Sequence, residues 1–250
     1  MNAQILWLLI KRINYRLYLG LSLSLLLFIY PAARAAYVPP KTQKPPSDQS
    51  RSGGTRGCSE EKIPLTILAP TTHVGYTASF SPTFVWFLYS PHEIDFRIFE
   101  FDTNNRLKQL GNPIKLQASK GINKYSLPKA QAELTVGKRY LWQVAIFCSE
   151  SAFLVQRAEF VVVKPSSDLT NKLLKTVNGS QRANLYANES LWYDALEEAL
   201  KLAPNGKLGE VGASLVQSLM QSEKQEGTLQ QQQEIQQKIE NVKAIVNSPI

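Results

Sequence analysis

Between residues 58 and 164 apolar and polar side chains alternate over short runs bounded by Pro, Gly, Asn and Asp, which is the period of half-buried strands. Seven segments carry it: Leu65–Ala69, Thr83–Ser90, Ile94–Asp102, Arg106–Leu116, Asn123–Leu127, Arg139–Cys148 and Arg157–Lys164. They are rich in Val, Ile, Phe, Tyr, Trp and Thr, as strands are. Asp102-Thr103-Asn104-Asn105 reads as the hairpin turn between the third and the fourth. In Arg139–Cys148 one face holds Tyr140, Trp142, Val144, Ile146 and Cys148, and the other begins with Arg139 and Gln143, so the aromatic face turns inward. Thr83–Tyr89 is different. Phe84, Trp86 and Leu88 alternate with Val85, Phe87 and Tyr89, which predicts a central strand covered by the opposite sheet and by a second element. Ile94, Phe96 and Ile98 share a face that Phe99 and Phe101 leave, and a bulge near Phe99 would restore the phase.

After Pro165 the period lengthens to that of helices. Ser166-Ser167-Asp168 caps a first helix running to about Val177, ended by Asn178-Gly179. A second spans about Arg182 to Ala203, with Leu185, Trp192, Leu196, Ala199 and Ala203 near one face and Pro204-Asn205-Gly206 as its stop. A third covers about Gly209–Gln221. The last, about Leu229–Val246, carries Ile235, Ile239, Val242 and Val246 as a seam for one partner helix. The pattern predicts an α+β chain, in which an antiparallel, Ig-like β-sandwich of about seven strands precedes a C-terminal helical segment.

The N-terminus reads as an address. Lys11, Arg12 and Arg16 precede an apolar run of 14 residues, Leu17–Tyr30, and the small residues Ala33 and Ala35 follow. These features predict a secretory signal peptide cut after Ala35; a retained anchor is the alternative. The run is short of the roughly 20 residues that span a bilayer, so no stable span is expected once the leader is cut. Residues 36–56, with four prolines and Gly53-Gly54, bury too little apolar surface to fold and predict a linker. The expected division is signal peptide 1–35, Pro/Gly-rich linker 36–56, β-sandwich 57–164 and helical segment 165–250.

Composition narrows the chemistry. The formal charge of +8 falls to +4 when Lys11, Arg12, Arg16 and Arg34 leave with the leader, too little for a nucleic-acid surface. Two cysteines and two histidines cannot build a zinc cluster or an iron–sulfur site, and no cofactor or metal is expected. Cys58 and Cys148, in an exported chain, predict a disulfide closing a loop of about 90 residues, which chain entropy alone would value at about 4–5 kcal/mol. His73 and His92 sit in loops beside prolines and read as solvated or locally hydrogen-bonded. No nucleophile elbow, zinc-protease helix, phosphate-cradling loop or dinucleotide fingerprint occurs, and the adjacent Glu197-Glu198 reads as a solvated helix face. Trp86, Trp142 and Trp192 with Tyr76, Tyr89, Tyr125 and Tyr193 are candidates for a sugar-stacking platform, against the core role that alternation already indicates for Trp86 and Trp142. Trp192 and Asp194 are candidate partner-docking residues.

Three groups of residues carry a resemblance. Thr55-Arg56-Gly57-Cys58, Leu65-Thr66-Ile67-Leu68-Ala69-Pro70 and Ser81-Pro82-Thr83-Phe84-Val85-Trp86-Phe87 form the first. Leu134-Thr135-Val136-Gly137-Lys138-Arg139-Tyr140-Leu141-Trp142 with Cys148 is the second, and Leu191-Trp192-Tyr193-Asp194-Ala195-Leu196 the third. Over about residues 55–203 this order resembles the cyanobacterial domain-of-unknown-function family 928. The resemblance implies an exported protein without an assigned activity or catalytic residues.

The function these readings predict is that of an exported, non-enzymatic binding or assembly protein of the periplasm or cell envelope, meeting a protein partner through its C-terminal helices. A carbohydrate-binding module acting on envelope polysaccharide and an enzyme of unrecognised mechanism are the rival readings.

Overall fold

The structure is a computed structural model that describes residues 35–41, 45–47, 61–128, 134–149, 152–224 and 226–248. It is a mixed α+β chain with two sheets and, among the described residues, five helices. The strands are β1 (Thr66–Ile67), β2 (Gly75–Thr77), β3 (Thr83–Leu88), β4 (His92–Phe101), β5 (Leu107–Ala118), β6 (Gly121–Ser126), β7 (Arg139–Phe147) and β8 (Phe153–Val162). One sheet has the order β1-β3-β6 and the other β2-β8-β7-β4-β5. All pairings are antiparallel except β2 with β8. All seven expected strands form. The eighth, β2, is three residues beside a proline-containing loop, too short for its period to show.

The inner faces meet through rings. Phe84 of β3 lies 5.4, 4.9 and 5.3 Å, centroid to centroid, from Phe96, Trp142 and Phe160 of the other sheet. Every residue of β3 is buried. Its second cover is the helical segment: the Thr83 hydroxyl donates to Glu197 at 3.0 Å, and Phe87 lines a cavity shared with residues beyond 205.

The expected bulge lies elsewhere. β4 pairs with β7 without interruption from Ile94 to Glu100, whereas Phe96 faces Ile114 of β5 and Ile98 faces Leu110. Gly111, Asn112 and Pro113 thus stand opposite the single residue Arg97, two extra residues in β5, where Gly111 takes φ +67°. Phe99 and Phe101 stay on the outer face, and the Arg139 guanidinium covers the Phe101 ring at 4.1 Å.

The helices are α1 (Ser167–Lys175), α2 (Gly179–Asn188), α3 (Trp192–Lys201), α4 (Gly209–Ser222) and α5 (Leu229–Asn247). Ser166 caps α1 as expected. Asn178 does not close α1; it caps α2 by accepting from the Gln181 N–H. The long second helix is broken. Leu191 N–H bonds to the Tyr186 carbonyl and Ser190 N–H to that of Ala187, with Ser190 at φ +64°, the double bond of a helix C-terminus that ordinarily uses glycine. The break re-aims the next three side chains. In α5, Ile239, Val242 and Ile245 are buried, and the helix packs on α4 and β1 together rather than on one helix.

Candidate functional site: the Trp-Tyr-Asp turn and the tyrosine seam

Three consecutive residues of α3 spread over about 200° of its circumference, so no single surface could bury all three. The break at Ser190 drives this turn in where sheets, loops and helices meet. The Trp192 indole donates to the Leu68 carbonyl at 2.9 Å. Tyr193 reaches the inter-sheet core, where its hydroxyl accepts from the Trp142 indole at 3.1 Å and its ring meets Phe84 and Phe160. Gly75 admits it, since a Cβ there would stand 2.8 Å from Tyr193 Cε2. Asp194 accepts from the Ala78 N–H at 2.9 Å and from the Thr77 side chain. Burial outweighs those bonds and pushes its carboxyl up to about 6.

Trp192 and Asp194, expected at a partner-docking surface, are therefore enclosed by their own chain, Trp192 at 0% exposure. The triplet is a clasp between helix and sheets. Trp86 and Trp142 are buried as well, so the three tryptophans of the expected sugar platform are interior.

Beside the clasp lies a seam. The β1–β2 loop brings His73 to 1% exposure, contrary to the expected solvated loop histidine. Its Nε2 meets the Tyr37 hydroxyl at 3.0 Å, and its buried Nδ1 has no hydrogen-bond partner. Burial lowers the His73 pKa, opposed by Glu223 and reinforced by Lys238 and Lys224, so the imidazole is held neutral. Burial raises the Tyr37 pKa, helped by Glu223. At the end of α4, Glu223 accepts from the Thr71 and Thr72 N–H groups, both at 2.7 Å. From α5, Lys238 donates to the Ala69 carbonyl at 2.9 Å and to the Thr71 hydroxyl. Burial pushes its amine down to about 8 against the pull of Glu223. Residues 69–73 of the β1–β2 loop thus have a carbonyl held by a cation, amides held by an anion and the histidine held by a phenol. Tyr37, His73 and Lys238 are each shifted toward the neutral form. That arrangement locks segments together.

The other expected residues are scattered. His92, at the start of β4, meets Ser90 at 3.0 Å and Glu61 at 3.3 Å, the local bonding foreseen. Glu197 and Glu198 are not a free face: Thr83, Lys201 and Arg182 engage them. Cys148 lies just past β7 and is exposed rather than on the inner face, and Cys58 lies outside the described residues. Among the described residues no group of three or more His, Cys, Asp and Glu could hold a metal ion.

The sequence reading missed Tyr37, Glu223 and Lys238. Tyr37 left one signal, as the single aromatic side chain of residues 36–56. The other two sit in polar stretches that give none.

A known family model, Domain of Unknown Function (DUF928), matches residues 51–237. The chain belongs to the DUF928 family. No curated protein and no solved structure matches it. The DUF928 match includes the whole clasp, and of the seam it includes His73 and Glu223 but not Tyr37 or Lys238.

Proposed function

We propose that the chain is an exported, non-enzymatic binding or assembly protein of the periplasm or cell envelope. The observation that carries this reading is where its polar and apolar groups go. Tyr37, Asp194, Glu223 and Lys238 are engaged by other parts of the same chain, while apolar side chains of the helical layer face outward. Leu174, Val177 and Leu202 are 80%, 96% and 53% exposed. Leu202 packs over Gly179 at the start of α2, two residues along the chain from Val177. The binding surface assigned to the C-terminal helices is this α1–α2 junction, because the apolar seam of α5 faces the core.

Export is read from the N-terminal address and accords with a Cys58–Cys148 bridge. No described cysteine is a free thiol. An immunoglobulin-like reading of the two sheets has its own support. The orders β1-β3-β6 and β8-β7-β4-β5 match those of that fold, and the Tyr140 hydroxyl, early in β7, accepts from the Thr135 N–H at 2.8 Å, as a tyrosine corner does.

The test is capture from envelope fractions with two baits, the native sequence and a Leu174→Ser/Val177→Ser/Leu202→Ser variant of unchanged melting. A partner held by the first and lost by the second supports the reading. Equal recovery on both baits, or a chain found in the cytosol with its leader intact, overturns it.

A further inference from the structure

Residues 35–41 belong to no sheet and no helix, yet they are held closely. Burial alternates along them: Ala35 and Tyr37 are enclosed, Ala36 and Val38 exposed. The main chain is held at three points. Ser214 donates its hydroxyl to the Ala35 carbonyl at 2.8 Å, and the Tyr37 N–H donates to the Ser218 hydroxyl at 2.6 Å. Val38 N–H then reaches the Ala187 carbonyl of α2 at 3.1 Å. Four residues of helix advance about 6 Å and two residues of extended chain about 6.6 Å, so serines one turn apart on α4 match an extended peptide.

One side chain supplies the anchor. The Tyr37 ring meets Trp192 edge-on at 5.2 Å and stacks on His73 at 5.9 Å, and its hydroxyl bonds to His73 Nε2. Main-chain bonds along a short run with one aromatic anchor in a closed pocket is how grooves recognise extended peptides.

We propose that the face formed by α2, α4 and the β1–β2 loop is a peptide-binding site for an extended small–x–Tyr segment, and that residues 36–38, which stay when the leader is cut after Ala35, are its exchangeable, cis-bound occupant. The Pro- and Gly-rich stretch that follows makes the cis contact competitive, since short tethers of such composition give effective concentrations on the order of millimolar.

The test uses the full chain and a fluorescein-labelled peptide, Ala-Ala-Tyr-Val-Pro-Pro, followed by anisotropy. The Tyr37→Ala chain should bind the peptide saturably and at least ten-fold more tightly than the native chain, whose own strap competes. Replacing the peptide's tyrosine with alanine should abolish binding, and adding Ser218→Ala should weaken it several-fold. Equal binding by both chains, or none by a folded Tyr37→Ala chain, overturns the proposal. Where Tyr37→Ala does not fold, the native chain is nicked by trypsin at Lys41. Displacement of the nicked strap by labelled peptide supports the site, and its loss without uptake of label overturns it.

Discussion

Between the two sheets, Phe84, Phe96, Trp142 and Phe160 touch over centroid distances of 4.9–6.3 Å, and their polar contact is the Trp142–Tyr193 bond. Beneath the helices, the contacts are made by Tyr37, His73, Glu223 and Lys238, each bonded to a partner distant in sequence. The first region is non-directional and tolerates any arrangement of rings that fills its volume. The second is directional: remove one member and a defined group is orphaned. The core makes the chain compact. The seam decides which segments close over which.

The largest effect that would break this contrast is expected in the core. Phe84→Ala should cost about 3–5 kcal/mol, because the sheets cannot collapse onto the cavity while the four rings around it hold them apart. Urea denaturation measures it, and a loss below about 1 kcal/mol would show that the helices rather than the rings hold the sheets. Glu223→Ala should cost about 2–3 kcal/mol by orphaning the Thr71 and Thr72 amides. Its mark would be faster amide exchange in the β1–β2 loop with the core protected, whereas uniform deprotection would merge the two regions.

Asp194 sharpens the comparison through pH. Its folded carboxyl titrates near 6 against an ordinary 3.8, so the folded state binds the extra proton between those values. This group's contribution therefore falls as pH rises from about 4 to about 6 and is lowest at neutrality. Asp194→Asn keeps an oxygen for the Ala78 N–H and cannot ionise. Measured against it, the native chain should lose up to about 3 kcal/mol across that window. A pH-independent difference in urea midpoints would remove the burial argument. The smallest effect belongs to the surface: Val177→Ser should change stability by less than about 0.5 kcal/mol, and a larger thermal shift would mean that the α1–α2 junction is packed against something.

The same contrast explains what the sequence could tell. Seven strands and most helix limits were legible because burial on one side or two leaves a period, and the two-faced run Thr83–Tyr89 even announced its second cover. The split at Ser190 was not legible, since no Gly or Pro marks it and the apolar face continues through it. Nor was the bulge in β5, because Gly111-Asn112-Pro113 disturbs a strand whose exposed side has no pattern to break. Of the candidate site, Trp192 and Asp194 were visible as a motif, but their direction depends on that unmarked break. Glu223 and Lys238 reach the β1–β2 loop across more than 150 residues and Tyr37 reaches His73 across 36, and such one-to-one pairing has no local signature.

The bulge has one more consequence. β5 is the long, open margin of the five-stranded sheet, and an open margin invites another molecule's strand to add to it. Pro113 offers no N–H there, Gly111 bends the ladder, and Lys108 and Lys115 stand on either side of the kink. A straight neighbour can pair with only half of that margin at a time, so crowding these molecules together is poorly rewarded with fibres.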